Sequence, residues 1–187
     1  MARRADIIVS EIVDVGLLSE GVLTTLSHAT HALAAPDAEM IPASAEILAV
    51  LVEAPVLRRV NPLSEISEYD LSAFNVFQNP GYQKIFLAHE ENKILSQPFP
   101  VVAFNFRTLK PEPPNHFDIL ELEAEITEDG AAQAVVFWFK LRLDEETVIS
   151  TSLDSETTHW GQAIQFLDAD IPVCKGDRQA VIARLGF

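Results

Sequence analysis

The 187-residue sequence has a single cysteine, Cys174, so no disulfide can form within the chain, and this usage fits a reducing compartment. The same scarcity excludes a thiolate metal cluster. Basic residues are also few: 13 lysines and arginines against 28 acidic residues leave a formal net charge of −15. Nucleic acids are bound by neutralising phosphates with Lys and Arg, so this balance argues against them and fits a basic partner, or equally serves solubility alone. No apolar run approaches the roughly 18 to 20 residues needed to cross a bilayer. The opening M-A-R-R-A-D-I-I-V-S-E breaks at Ser10 and Glu11 after only a short apolar stretch, which does not suffice for a signal peptide. A soluble cytoplasmic protein without membrane contact is expected. There is no G-x-S-x-G, no P-loop, no Gly-rich turn after a strand and no H-E-x-x-H, and Ser10 and Ser44 have no spacing that marks a nucleophile.

What is present reads as one domain with a sizeable core. Ile7, Ile8 and Val9 form a short continuous apolar run, the pattern of a parallel strand buried on both faces. Few residues precede it, so its usual parallel neighbours are expected outside this chain. Val22, Leu23, Leu26, Ala29 and Leu33 recur at helical spacing and predict a helix over 22–34, with Ser19 as N-cap and Pro36 beyond its end. His28 and His31 can share a face of that helix, but no Cys or suitably spaced acid joins them, and no metal site is expected. Branched residues from Ile47 to Val52 predict a strand. Residues 55–84 are polar and irregular, with Pro55, Pro62, Pro80 and the turn-like Asn79-Pro80-Gly81, and they read as an insertion or arm. Phe74, Val76, Phe77 and Tyr82 carry more aromatic and apolar area than a solvated loop, so they are expected to pack on another surface, a second subunit being the natural candidate.

Glu121, Glu123 and Glu125 alternate with Leu120, Leu122, Ala124 and Ile126, the period of a strand with one wet face. The following V-V-F-W-F-K-L-R-L alternates in phase. A turn at Glu128-Asp129-Gly130 predicts a hairpin that sets Leu122 opposite Phe139, Leu120 opposite Leu141 and Glu121 opposite Lys140. Further strands are expected near Phe99 to Phe106, Ala163 to Leu167 and Gln179 to Leu185, completing an antiparallel sheet or barrel.

Two stretches can carry chemistry. In S-E-I-V-D-V-G-L-L-S-E, Glu11 and Glu20 bracket a segment that Gly16 helps to fold back, and paired carboxylates can grip a guanidinium through charge-assisted hydrogen bonds. Arginine keeps its proton, so a reaction through its nitrogen depends on orientation. Two glutamates at this spacing equally serve as solvated surface residues. In T-H-W, His159 can accept a proton and Trp160 can wall a pocket and offer a cation-π face. The same pair equally serves as a satisfied structural histidine and a core tryptophan.

Taken together, V-S-E-I-V-D-V-G-L-L-S-E-G-V-L resembles the double-glutamate loop of protein arginine N-methyltransferases, and Thr158-His159-Trp160 resembles that family's THW loop, in the same order and at a similar distance. E-G after Glu20, M-I-P-A-S-A-E-I, L-R-R and W-F-K-L-R-L-D-E-E are similar to the branch numbered seven and nine. Forms making the asymmetric product usually have a methionine two residues past the second glutamate, where Val22 stands here.

The resemblance implies a mainly β fold with α (α+β): an antiparallel β-barrel carrying a dimerisation arm with helical structure at about 55–84, preceded by one residual Rossmann-type strand and a helix. Residues 1–20 would close a Rossmann-like domain and residues 21–187 would form the barrel and substrate domain. It further implies Glu11, Glu20 and His159 as catalytic residues, Thr158 and Trp160 as substrate-binding residues, and S-adenosylmethionine as methyl donor. The donor's Gly-rich turn and acidic ribose residue are not found in the sequence, so binding of the donor by this chain alone is not expected. The implied partners are an arginine-containing protein substrate and either a second copy or a Rossmann-type methyltransferase half. Two other readings stand beside this one: a non-catalytic dimerisation or substrate-docking module, and an unrelated acidic β-barrel that binds basic ligands.

Overall fold

A computed structural model describes residues 3–77, 81–111, 113 and 116–186. In chain order its elements are β1 (Ala5–Val9), α1 (Val22–His28) continued by a π-helical turn (Ala29–Leu33), β2 (Ala34–Ile41), β3 (Ser44–Glu53) and α2 (Pro55–Arg58). The short strands β4 (Glu65–Ile66) and β5 (Tyr69–Asp70), a 3-10 turn (Ser72–Phe77) and β6 (Gln83–Ile85) follow. After a second 3-10 turn (Leu87–His89) come β7 (Lys93–Ile94), β8 (Phe99–Asn105), β9 (Phe117–Glu125), β10 (Gly130–Arg142), β11 (Val148–Ser150), β12 (Gln162–Val173) and β13 (Arg178–Gly186).

The centre is a seven-stranded antiparallel sheet that curls into a half-barrel, with main order β6-β12-β10-β3-β7; β11 joins it on β10 and β8 on β3. Strand β10 is its spine. Its apolar run is buried on alternate and adjacent positions alike, and both of its edges are taken, by β3 (Trp138 opposite Leu48) and by β12 (Val136 opposite Ile164). The predicted hairpin is therefore not formed. Strand β9 pairs instead with β13, so that Leu122 lies opposite Val181 and Glu121 opposite Ile182. The crossover happens at residues 126–129, where the Ile126 N–H donates to the Asp177 carbonyl and Thr127 to that of Leu95, steering the chain from one sheet to the other. The wet face was assigned correctly: Glu121, Glu123 and Glu125 are exposed, and Arg178 rather than Lys140 meets one of them, Glu123, at 2.8 Å.

The first strand does run parallel to a neighbour, as expected, and that neighbour lies within this chain. The β1 and β2 strands pair from Ala5 opposite Ala34 to Val9 opposite Ile41, connected through α1 in the manner parallel strands require. Pro36, read as a helix stop, sits inside β2, at the edge of a two-stranded ladder where proline is tolerated. Burial on both faces is not observed, since Ile7 is 55% and Val9 71% exposed. The predicted helix is also divided, because regular α geometry ends at His28 and a π turn carries the chain to Leu33. Its N-cap is Gly21, at φ +74°, and not Ser19.

In the arm, Phe74, Val76 and Phe77 are 58%, 80% and 83% exposed, whereas Tyr82 packs within its own chain. Of the predicted Asn79-Pro80-Gly81 turn, residues 79 and 80 lie outside the described residues. Among the described residues no helix is long and apolar enough to cross a membrane.

Candidate functional site

The segment 10–20 has its middle in the core and its ends in solvent. Val13 and Leu17 are buried, packed with Val22, Leu23 and Leu26 of α1 and with Phe139 of β10, while Glu11 and Glu20 are exposed. Burial of two large apolar side chains, at about 1.5–3 kcal/mol each, fixes the loop so that its carboxylates do not have to. The backbone is wound tightly here. Leu17 has φ +78°, unusual for a residue with a side chain, and Gly21 has φ +74°, so left-handed turns stand on both sides of Glu20. Strain of this kind, about 1–3 kcal/mol, persists where surrounding packing over-determines it.

Two residues that no motif marks hold the loop in this shape. Asp14 accepts three hydrogen bonds: its carbonyl from the Leu17 N–H at 3.0 Å, Oδ1 from the Ser19 N–H at 3.1 Å, and Oδ2 from the Tyr82 hydroxyl at 2.8 Å. The Tyr82 ring meets Phe137 edge-on with centroids 5.1 Å apart. It also fills the space beside Gly16, where an added Cβ would come within 2.3 Å of it. Asp14 has a sequence signal in hindsight, because a short acidic side chain commonly closes a turn on following amides. Tyr82 has only an aromatic ring in search of a surface.

Burial pushes the Tyr82 phenol up to about 12, with Ser19's hydrogen bonds opposing and Asp14's hydrogen bond and charge reinforcing the rise. The folded chain thus holds this proton above a pH of about 10, where the unfolded chain releases it. The associated stabilisation is complete below about pH 10 and is lost as the pH rises through about 12. The chain has two tyrosines, so a Tyr69→Phe variant isolates Tyr82. Its phenolate absorbance in rapid pH jumps is expected to appear near 12, returning to about 10 in denaturant.

The Thr158-His159-Trp160 turn joins the same arrangement. Trp160 Nε1 donates to the Val13 carbonyl at 2.9 Å, two residues from Glu11, and its ring meets Phe139 edge-on at 5.6 Å. His159 is exposed, and its ring lies on Trp160 with centroids 3.9 Å apart. Lys84 Nζ donates to the His159 carbonyl. Thr158 Oγ1 is buried without a hydrogen-bond partner. Gly161 turns the chain into β12 with φ +67°, and an added Cβ would stand 2.5 Å from the Ile85 carbonyl oxygen, a backbone atom that cannot swing aside.

The structure therefore links the two motifs through Trp160 and Val13, with Glu11 and His159 exposed beside that link. Trp160 is half-buried against the core and its ring stacks on His159. Among the described residues the cation-π contacts are Lys84 over Phe86, the same lysine that meets the His159 carbonyl, and Arg184 over Phe117, and neither uses Trp160. No group of three or more His, Cys, Asp and Glu that could hold a metal ion occurs among the described residues. His31 instead places Nδ1 2.8 Å from the Ser27 carbonyl, and His28 is exposed. Two hollows, of about 190 and 440 Å³, lie beside the arrangement, and neither is lined by Glu11, Glu20 or His159. The described residues form no strand, Gly-rich turn and acidic side chain in succession, so they do not fit an S-adenosylmethionine site by themselves.

Residues 44–183 match the family described as the arginine methyltransferase oligomerization subdomain. The chain is 32% identical to an arginine N(omega)-methyltransferase of Streptomyces achromogenes subsp. streptozoticus, over 97% of this chain and 49% of that protein. It is 28% identical to protein arginine N-methyltransferase 9 of Homo sapiens, over 87% of this chain and 22% of that protein. Among solved structures, the Trypanosoma brucei PRMT1 enzyme-prozyme heterotetrameric complex with AdoHcy superimposes with a TM-score of 0.76 at 22% identity, covering 95% of this chain and 57% of that one. The chain thus spans about half the length of the first of these relatives and less of the second. With the family's oligomerization subdomain matched over most of its length, the chain belongs to the arginine methyltransferases.

Proposed function

We propose that this chain is the barrel and acceptor side of a protein arginine N-methyltransferase, which presents an arginine guanidinium for methylation. The observation that carries this reading is the link between the two motifs: Trp160 bonded to Val13 puts the histidine turn against the loop whose exposed ends are Glu11 and Glu20. In this role the two carboxylates hold the guanidinium through charge-assisted hydrogen bonds and fix which nitrogen faces outward. The loop's buried middle and its left-handed turns keep that geometry in place before substrate arrives. His159, exposed and braced on Trp160, takes the proton that the nitrogen gives up on substitution. Thr158 and Trp160 shape the adjoining wall. The methyl donor in this family resemblance is S-adenosylmethionine, and its site would be supplied by a Rossmann-type half.

Calorimetric titration of the purified chain with S-adenosylmethionine and with an arginine peptide, separately and together, tests the reading. Saturable binding of the arginine peptide, none of its lysine counterpart, no heat from the donor and no methylation are expected. Turnover by the chain alone would overturn the acceptor-only assignment. Equal binding of the lysine peptide would overturn the guanidinium site.

A second reading has its own observation. Phe74, Val76 and Phe77 each expose an apolar side chain on the arm, within the region matched to the oligomerization subdomain. This favours homodimer formation or association with another subunit, and a purely docking module would keep those side chains while tolerating loss of Glu11 and Glu20.

A further inference from the structure

Strand β6 begins at the foot of the arm, and residues two apart on an extended strand point to one side. Tyr82, just before it, reaches the double-glutamate loop, and Lys84, two residues on, reaches the histidine turn. The strand itself is held by β12, with Ala163 opposite Lys84 and Ile164 opposite Gln83, so its position relative to the sheet is fixed. On the loop side the contact is a filled one. The Tyr82 ring occupies the volume that Gly16 leaves open, and its hydroxyl holds the Asp14 carboxylate whose other oxygen bonds the Ser19 amide next to Glu20.

We infer that Tyr82 is a positioning residue for the arginine site: through Asp14 it sets the turn that carries Glu20, and with Lys84 it fixes the separation of the glutamate loop from the His159 turn. This rests on the proposed arginine-methyltransferase reading for its meaning, though not for its geometry. Trp160 bonds Val13 and Tyr82 bonds the neighbouring Asp14, whose other carboxylate oxygen reaches the Ser19 amide beside Glu20, so losing the phenol loosens the turn at Glu20 while the Trp160 bond stays. The device also connects the arm to the site, because Tyr82 closes the arm's return to the sheet.

The test uses Tyr82→Phe, which keeps the ring beside Gly16 and removes only the hydroxyl. Hydrogen exchange on the full chain is expected to speed up about tenfold at the Leu17 and Ser19 amides, the effect of one lost hydrogen bond to a charged group, with β3 and β10 amides unchanged. In the assembly with a methyl-donor half, kcat for an arginine peptide is expected to fall about tenfold while KM stays within about twofold, as for a group that orients a bound substrate. Unchanged exchange would overturn the inference, and so would faster exchange with unchanged kcat, which would make the contact structural only. Glu11→Gln is measured in parallel. If it too leaves kcat untouched, the arginine-site reading has failed; if it abolishes turnover while Tyr82→Phe is silent, only the positioning role has.

Discussion

Glu11→Gln and Glu20→Gln, each made in the assembly with a methyl-donor half, should lower kcat/KM for an arginine peptide by about two to three orders of magnitude. The amide keeps the shape of the carboxylate but loses its charge and one accepting oxygen, so the guanidinium loses a paired contact and its fixed orientation together. A hydrogen bond to a charged group contributes about 1.5–3 kcal/mol, and misplacing a reacting atom adds up to about a hundredfold, which together give that range. Stability should hardly change, because both side chains are exposed and the loop is held by Val13, Leu17 and Asp14. Steady-state rates beside a thermal melt separate the two effects. Rates within tenfold of the parent for both variants would remove the paired carboxylates from the reaction and leave the docking reading.

Phe139→Ala should destabilise the domain by about 3–5 kcal/mol, a large share of the 5–15 kcal/mol that ordinary domains possess. Phe139 is fully buried on the spine strand β10, opposite Ile47 of β3. It also carries the Trp160 ring, and its N–H donates to Thr151 Oγ1 at 3.2 Å. The cavity would thus open between the sheet and the turn that holds His159. Chemical unfolding should show a lowered midpoint with little change in slope, while Phe139→Leu should cost only about 1–1.5 kcal/mol. A midpoint for the alanine variant equal to that of the parent would mean the ring is not the keystone of this region.

Much of this arrangement could be read from residue patterns. Ile47 to Val52 falls inside β3, and the expected strands near 99–106, 163–167 and 179–185 correspond to β8, β12 and β13. The hairpin went wrong for a physical reason: alternation identifies which face of a strand is wet and leaves its neighbour open. Strand β9 satisfies the same alternation with β13 as it would have with β10, and β10 had both edges committed, one to the distant β3 and the other to β11 and β12. Glu11, Glu20, Thr158, His159 and Trp160 could be named as candidates because they stand in an order that resembles the family's two motifs. The Asp14–Tyr82 contact could not, since it joins positions 68 apart; Asp14 showed only its local turn and Tyr82 only an aromatic ring in search of a surface. The burial of Val13 and Leu17, which turns a run of loop residues into a rigid mount, likewise depends on α1 and β10 being in place.

The commitment of β10 to β3 has a consequence for how the chain is made. Ser44 of β3 pairs with Arg142 and Val52 with Ala134, so the central ladder cannot close until most of the sequence has left the ribosome. At about 5–20 residues per second, the branched run of β3 waits several seconds with that edge unmatched, while β8 arrives sooner and covers only the opposite one. Nascent chains of this protein therefore pass through an interval in which an apolar strand edge is open to other chains, and their yield in cells depends on what occupies that edge in the meantime.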